Sequence, residues 1–62
     1  MIYDTVKAYA DQRKMSIAEL EKKAQLGNGT IGSWRDSSPN LGSLVKVAEA
    51  LNISVVALLK NK

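Results

Sequence analysis

The stretch Gly27-Asn28-Gly29-Thr30-Ile31-Gly32-Ser33-Trp34 decides how this chain is read. Three glycines in eight residues weaken a helix, since each helical glycine costs about 1 kcal/mol relative to alanine. Yet Ile31 and Trp34 stand three apart, which puts both on one side of a helix. The segment therefore reads as a turn through Gly27 that leads into a helix. That helix keeps Gly29 and Gly32 on the bare side, opposite Ile31 and Trp34, and alanine at either glycine is expected to raise stability.

Working toward the N-terminus, Ser16-Ile17-Ala18-Glu19 matches the Ser-x-x-Glu capping box, in which the serine oxygen and the glutamate side chain satisfy each other's free backbone amides. A helix starts there with Leu20 and Ala24 inward, and Gly27, able to take left-handed geometry, ends it. Before it, Ile2, Val6, Tyr9 and Ala10 follow helical spacing with Asp4, Lys7, Asp11 and Arg13 between them. This predicts a first helix of roughly 12 residues that stops near Met15.

Toward the C-terminus, Asp36-Ser37-Ser38-Pro39-Asn40 is a loop by composition, and Pro39 pushes Ser38 toward an extended backbone. Asn40 is a good N-cap for a helix carrying Leu41, Leu44, Val45, Ala48 and Leu51 at spacings of three and four, and Asn52 ends it. Ser54 then caps a last short helix striped by Val55, Leu58 and Leu59. The expectation is an all-α chain of five short helices, one domain over residues 1–62. Its core would be Val6, Tyr9, Leu20, Ala24, Leu26, Ile31, Trp34, Leu41, Leu44, Ala48, Leu51, Ile53 and Leu58.

Composition narrows the function classes. With 62 residues and no cysteine, the chain has neither disulfide nor thiolate staple, and it must rely on one small core and good helix ends. Histidine is absent, and the carboxylates Asp4, Asp11, Glu19, Glu21, Asp36 and Glu49 are scattered, so neither a nucleophile-base pair nor a metal cluster assembles. No catalysis, cofactor or small-molecule ligand is expected. No apolar run approaches the roughly 18 residues a membrane span needs, and Met1-Ile2-Tyr3-Asp4 is not a basic-then-apolar leader, so a cytoplasmic setting is expected. Nine basic residues against six acidic give a net charge of +3, which suits a polyanion partner.

The middle of the chain joins these points. A short capped helix, a tight turn of about four residues around Gln25 to Asn28, and a second helix pinned by Ile31 and Trp34 suit a helix-turn-helix at about residues 16–36. The second helix of such a unit can lie in the DNA major groove. The same pattern also fits a plain helical hairpin.

Met15-Ser16-Ile17-Ala18-Glu19-Leu20, Gln25-Leu26-Gly27, Gly29-Thr30-Ile31 with Trp34, and Ser38-Pro39-Asn40-Leu41 with Leu44, Val47-Ala48, Leu51 and Ile53-Ser54 resemble the lambda-repressor-like, Cro/CI (XRE) family of prokaryotic and phage regulators. The resemblance covers essentially the whole chain. It implies a compact five-helix DNA-binding domain, a repressor that binds double-stranded DNA as a homodimer on a palindromic operator, with the third helix in the major groove. The chain departs from the family pattern at three points. Ile17 stands where glutamine is frequent, leaving helix amides for the phosphate. Ala10 and Arg35 stand where arginine and glutamate frequently pair, so that link is expected to be missing and Arg35 free to reach a phosphate, with Asp36 beside it arguing the other way.

Base reading falls to Asn28, Gly29, Gly32 and Ser33: Asn28 through a bidentate amide, the glycines through close backbone approach. For Asn28, capping the third helix is the competing role, and Gly27 competes with it for that position. The DNA-backbone set is Ser16, Ile17, Thr30, Arg35, Ser37, Ser38 and Asn40, with diffuse attraction from Lys14, Lys46, Lys60 and Lys62. Val56, Ala57 and Leu59 are dimer-interface candidates, because Val56 and Ala57 stand where relatives commonly show polar residues. Two other readings stay open: the antitoxin of a toxin-antitoxin pair, and a protein-interaction module that kept the fold without reading DNA.

Overall fold

The computed structural model describes residues 2–60. It contains helices α1 (Ile2–Gln12), α2 (Ile17–Lys23), α3 (Leu41–Leu51) and α4 (Val55–Leu59), a 3₁₀ helix at Gly32–Arg35, and no strand among the described residues. None of the helices is long and apolar enough to cross a membrane. The all-α expectation holds. The count differs, because the expected third helix is not an α-helix.

Each α-helix after the first starts on a side-chain cap that the sequence announces. Ser16 Oγ accepts from the Glu19 amide at 3.1 Å while Glu19 Oε1 accepts from the Ser16 amide at 2.9 Å, completing the capping box. Asn40 Oδ1 accepts from the Ser43 amide at 2.8 Å, and Ser54 Oγ from the Ala57 amide at 3.1 Å. Each cap satisfies an amide that has no partner inside its helix.

The helix ends follow one scheme. After α1, Lys14 turns left-handed (φ 56°), its amide donates to Asp11 at 3.0 Å, and the Met15 amide reaches back to Ala10 at 2.9 Å. After α2, Gln25 does the same (φ 61°), with Gln25 donating to Lys22 and Leu26 to Glu21. After α3, Asn52 (φ 60°) donates to Glu49 and Ile53 to Ala48. All three are Schellman endings, and the residue after each left-handed position is an apolar side chain packed on the core: Met15, Leu26 and Ile53. Asn52 ends α3 as expected. Gly27 does not end α2, because Gln25 has already turned the chain two residues earlier.

The core is Val6 and Ala10 from α1, Leu20 and Ala24 around α2, Ile31, Trp34, Leu44, Val47, Ala48 and Leu51 from α3, and Leu58 from α4. Tyr9, Leu26 and Ile53 line its edge, half-buried. Leu41, expected in the core, is 65% exposed. It is the first residue of α3, and helical side chains lean toward the N-terminus, so Leu41 projects past the layer that Leu44 begins. The buried stripe of α3 is instead Leu44, Val47, Ala48 and Leu51. Thr5 is also buried, and its hydroxyl makes no hydrogen bond.

The segment after α2 departs most from expectation. Gly29 sits at φ 89°, outside any right-handed helix, so helical geometry cannot begin until the chain has passed it. Hydrogen bonds then alternate in span: Thr30 donates to Gly27 at 3.1 Å, Ser33 to Gly29 at 3.0 Å and Trp34 to Ile31 at 3.0 Å. Asp36 and Ser37 both donate to the Ser33 carbonyl, closing the 3₁₀ turn before the Ser38-Pro39 loop. The rise in stability expected for alanine at Gly29 is thereby overturned: its positive φ disfavours any side chain.

Candidate nucleic-acid interface

The segment Asn28–Arg35 is held from behind at four points. Ile31 is fully buried and Trp34 nearly so, which anchors its inner side in the core as their spacing suggested. Glu21 holds its start. This carboxylate, only 4% exposed, accepts from the Gly29 amide through Oε1 at 3.1 Å and from the Ile31 amide through Oε2 at 2.8 Å. Arg35 holds its end: the guanidinium lies 4.8 Å from the centre of the Tyr3 ring and donates to the Tyr3 hydroxyl at 3.2 Å.

These contacts settle two sequence expectations. Neither Asn28 nor Gly27 supplies a side-chain cap, since Glu21 takes the amides that a cap would serve. Arg35 is not free. Where the frequent arginine-glutamate link was expected to be missing, Tyr3 and Arg35 rebuild a link between α1 and the 3₁₀ helix by stacking and one hydrogen bond. The Tyr3 hydroxyl, accepting from the guanidinium, raises the Arg35 pKa above its ordinary value, with Asp36 and Asp4 adding to the effect.

On the outer side, Asn28, Gly29 and Ser33 are exposed and Gly32 half-exposed. Asn28 makes no hydrogen bond among the described residues, so its amide can offer a donor and an acceptor together. Ser33 donates its hydroxyl to the Thr30 carbonyl at 2.7 Å, which leaves it only acceptor capacity. Ser37 donates to the Ser33 carbonyl at 3.1 Å. Thr30 is half-buried beside Gly27, where an added Cβ would lie 3.3 Å from its Oγ1.

Flanking positions are already occupied in part. Ser16 and Asn40 each use one side-chain oxygen as a helix cap, leaving the Ser16 hydroxyl hydrogen and the Asn40 amino group to donate outward. Ile17 is half-buried as the first residue of α2, and Ser38 is exposed. Lys14, Lys46 and Lys60 are exposed, whereas Lys62 lies outside the described residues. Between Asn28 and Asn40, Arg35 is the only cation. Val56 and Leu59 are each 59% exposed on α4, with Ala57 half-buried between them.

Glu21 and Tyr3 are the side chains bracing the candidate segment that sequence reasoning missed. The signal for Glu21 was present: it shares the inward stripe of α2 with Ile17, Leu20 and Ala24, where a solvated glutamate does not belong. Eight and ten residues on, a glycine-rich turn supplies the amides that satisfy it.

A comparison with protein-family models matches residues 6–58 to a helix-turn-helix family. No curated protein and no solved structure matches the chain significantly.

Proposed function

Because the chain belongs to the Cro/CI-type (XRE) helix-turn-helix family of DNA-binding regulators, we propose that it is a transcriptional repressor that binds a palindromic operator as a homodimer. The observation that carries this reading is the outer edge of Asn28–Ser33. The edge is exposed, polar and glycine-rich, while its inner edge is fixed by Ile31, Trp34 and Glu21. Such an edge can approach the groove floor closely, with Asn28 offering a bidentate pattern that matches adenine. Gly29 and Gly32 admit the backbone to the groove, and Ser33 accepts from a base donor.

Ser16, Ile17, Thr30, Ser37, Ser38 and Asn40 form the phosphate-facing rim in this reading. Arg35, held on Tyr3, reaches a phosphate only with the donors that the tyrosine leaves unused. With so few cations, discrimination leans on shape and on a handful of polar contacts. Val56 and Leu59, with Ala57, provide the apolar surface for a second copy, which a two-fold operator requires. Repression is steric and needs no cofactor, and the protein works in the cytoplasm of a prokaryotic cell.

Selection from a random duplex pool at low salt tests the proposal. A preferred palindrome with half-sites about one helical turn apart is the expected result. Absence of any sequence preference overturns it and favours a protein-interaction module. A preferred site bound only by a complex with a second, different protein favours the antitoxin reading.

A further inference from the structure

Glu21 is a carboxylate buried in the inner stripe of a helix, and burial penalises its charge unless hydrogen bonds replace the lost water. The replacements are the amides of Gly29 and Ile31, at 3.1 and 2.8 Å, one to each oxygen. The two carboxylate oxygens are rigidly spaced, so only a narrow range of Gly29–Ile31 backbone geometry satisfies both.

What the tie controls is particular. The core already fixes Ile31 and Trp34. The turn before them is held by its own segment, with the Thr30 amide donating to Gly27 at 3.1 Å and the Ser33 amide to Gly29 at 3.0 Å, while Asn28 has no hydrogen bond among the described residues and a Cβ added at Gly29 would touch no atom within 4 Å. Those local bonds shape the turn, and the two bonds from Glu21 tie it to α2, which sets how Asn28, Gly29 and Thr30 are aimed.

We infer that Glu21 is a positioning residue for DNA recognition, acting through the Gly29 and Ile31 amides to aim the base-reading turn. This rests on the reading of Asn28–Ser33 as the base-reading segment. Glu21 never touches DNA. By consuming two backbone donors it also removes them from phosphate binding, so the turn meets DNA through Asn28, its glycine backbone and Thr30 alone.

Two variants separate aiming from folding. Glu21→Gln keeps the shape but turns an NH₂ donor toward a backbone N–H, and Glu21→Ala removes both acceptors. The probe is the tightest duplex that the unaltered protein selects from a random pool, with affinity measured by fluorescence anisotropy well below each variant's melting temperature. Val47→Ala, which opens a cavity in the α3 core and touches neither the base-reading segment nor the α4 surface, serves as a purely destabilised control.

Both Glu21 variants are expected to show shifted Gly29 and Ile31 amide resonances and unshifted core resonances, with duplex affinity reduced about 10- to 100-fold, while Val47→Ala binds within about twofold of the parent at the same folded fraction. A folded Glu21→Gln that binds within about twofold of the parent overturns the inference, because the loss of a bond to a charged group would then leave aim untouched. A Glu21 pair that cannot fold also overturns it, making the carboxylate a requirement of the fold. If the unaltered protein selects no duplex, the DNA-reading proposal fails first, and that result is distinct from either.

Discussion

Alanine at Gly29 and alanine at Gly32 are the same added methyl three residues apart, and the backbone sends them in opposite directions. An added Cβ at either position meets no atom within 4 Å, so packing contributes to neither. At Gly29 the backbone is held at φ 89°, where a Cβ costs about 1–2 kcal/mol, offset by about 0.5–1 kcal/mol of lost freedom in the unfolded chain. The net is a loss of about 1 kcal/mol. Gly32 opens the 3₁₀ helix at an ordinary φ, so only the entropy term remains, and Gly32→Ala gains about 0.5–1 kcal/mol. The entropy gain is common to both variants, so they should stand about 1–2 kcal/mol apart, which in a domain this small is about 4–16 °C in melting temperature. Thermal unfolding followed by circular dichroism reads this directly, with urea midpoints at constant m-value as a check. Gly29→Ala melting at or above the parent would refute the reasoning, since it would mean that the turn is not held in left-handed geometry. Both variants should also weaken binding to the selected duplex, Gly32→Ala despite its greater stability, because its methyl stands on the exposed edge.

Three further outcomes follow from the structure. Thr5→Val replaces a buried hydroxyl that has no partner with a methyl of similar size, and should raise stability by about 1 kcal/mol in calorimetry; a fall would mean the hydroxyl is satisfied in solution. Gln25→Gly relieves a left-handed side chain at the end of α2 and should move the urea midpoint upward by the equivalent of about 0.5–1 kcal/mol, with a downward move contradicting the Schellman ending. Val56→Glu puts a carboxylate in the first turn of α4, where the helix dipole favours it by about 0.3–1 kcal/mol, so helix content should hold while self-association and operator binding fall together; unchanged sedimentation removes Val56 from the interface.

What was legible in the sequence is what is encoded within a few neighbouring residues. The Ser16–Glu19 box and the caps Asn40 and Ser54 require only a short polar side chain three residues ahead of the amide it serves, so they could be read directly. The stop of α1 near Met15 was read by position, though not its left-handed turn at Lys14, and the end of α2 at Gln25 was missed, because glycine is the usual marker and Gly27 drew the reading past the true end. A better marker runs through all three endings, an apolar residue just after the left-handed one. Ile31 and Trp34 at spacing three fit an α-helix and a 3₁₀ turn equally well, and only the positive φ of Gly29 decides between them. The geometry of the candidate site was half legible. Its exposed residues could be named from the face opposite Ile31 and Trp34, whereas Glu21 and Tyr3 bond partners 10 and 32 residues away: the inward stripe of α2 marked Glu21 as out of place without saying what satisfies it, and Tyr3 left no local pattern.

That division of local from distant encoding gives the chain an order of assembly. The Ser16 and Asn40 caps and the Schellman endings of α1, α2 and α3 can form as soon as each helix forms, without waiting for the rest of the chain. The stretch between Gly27 and Asp36 must wait, because Glu21, Tyr3 and the receiving core have to be in place before it has anything to lean on. It is thus the last part to settle and the first to let go. In amide hydrogen exchange its protons should escape well before those of α1 and α3, and occupancy of an operator should slow them most. In the regulator proposed above, release from DNA would then be timed by a local opening of this segment rather than by the stability of the whole domain.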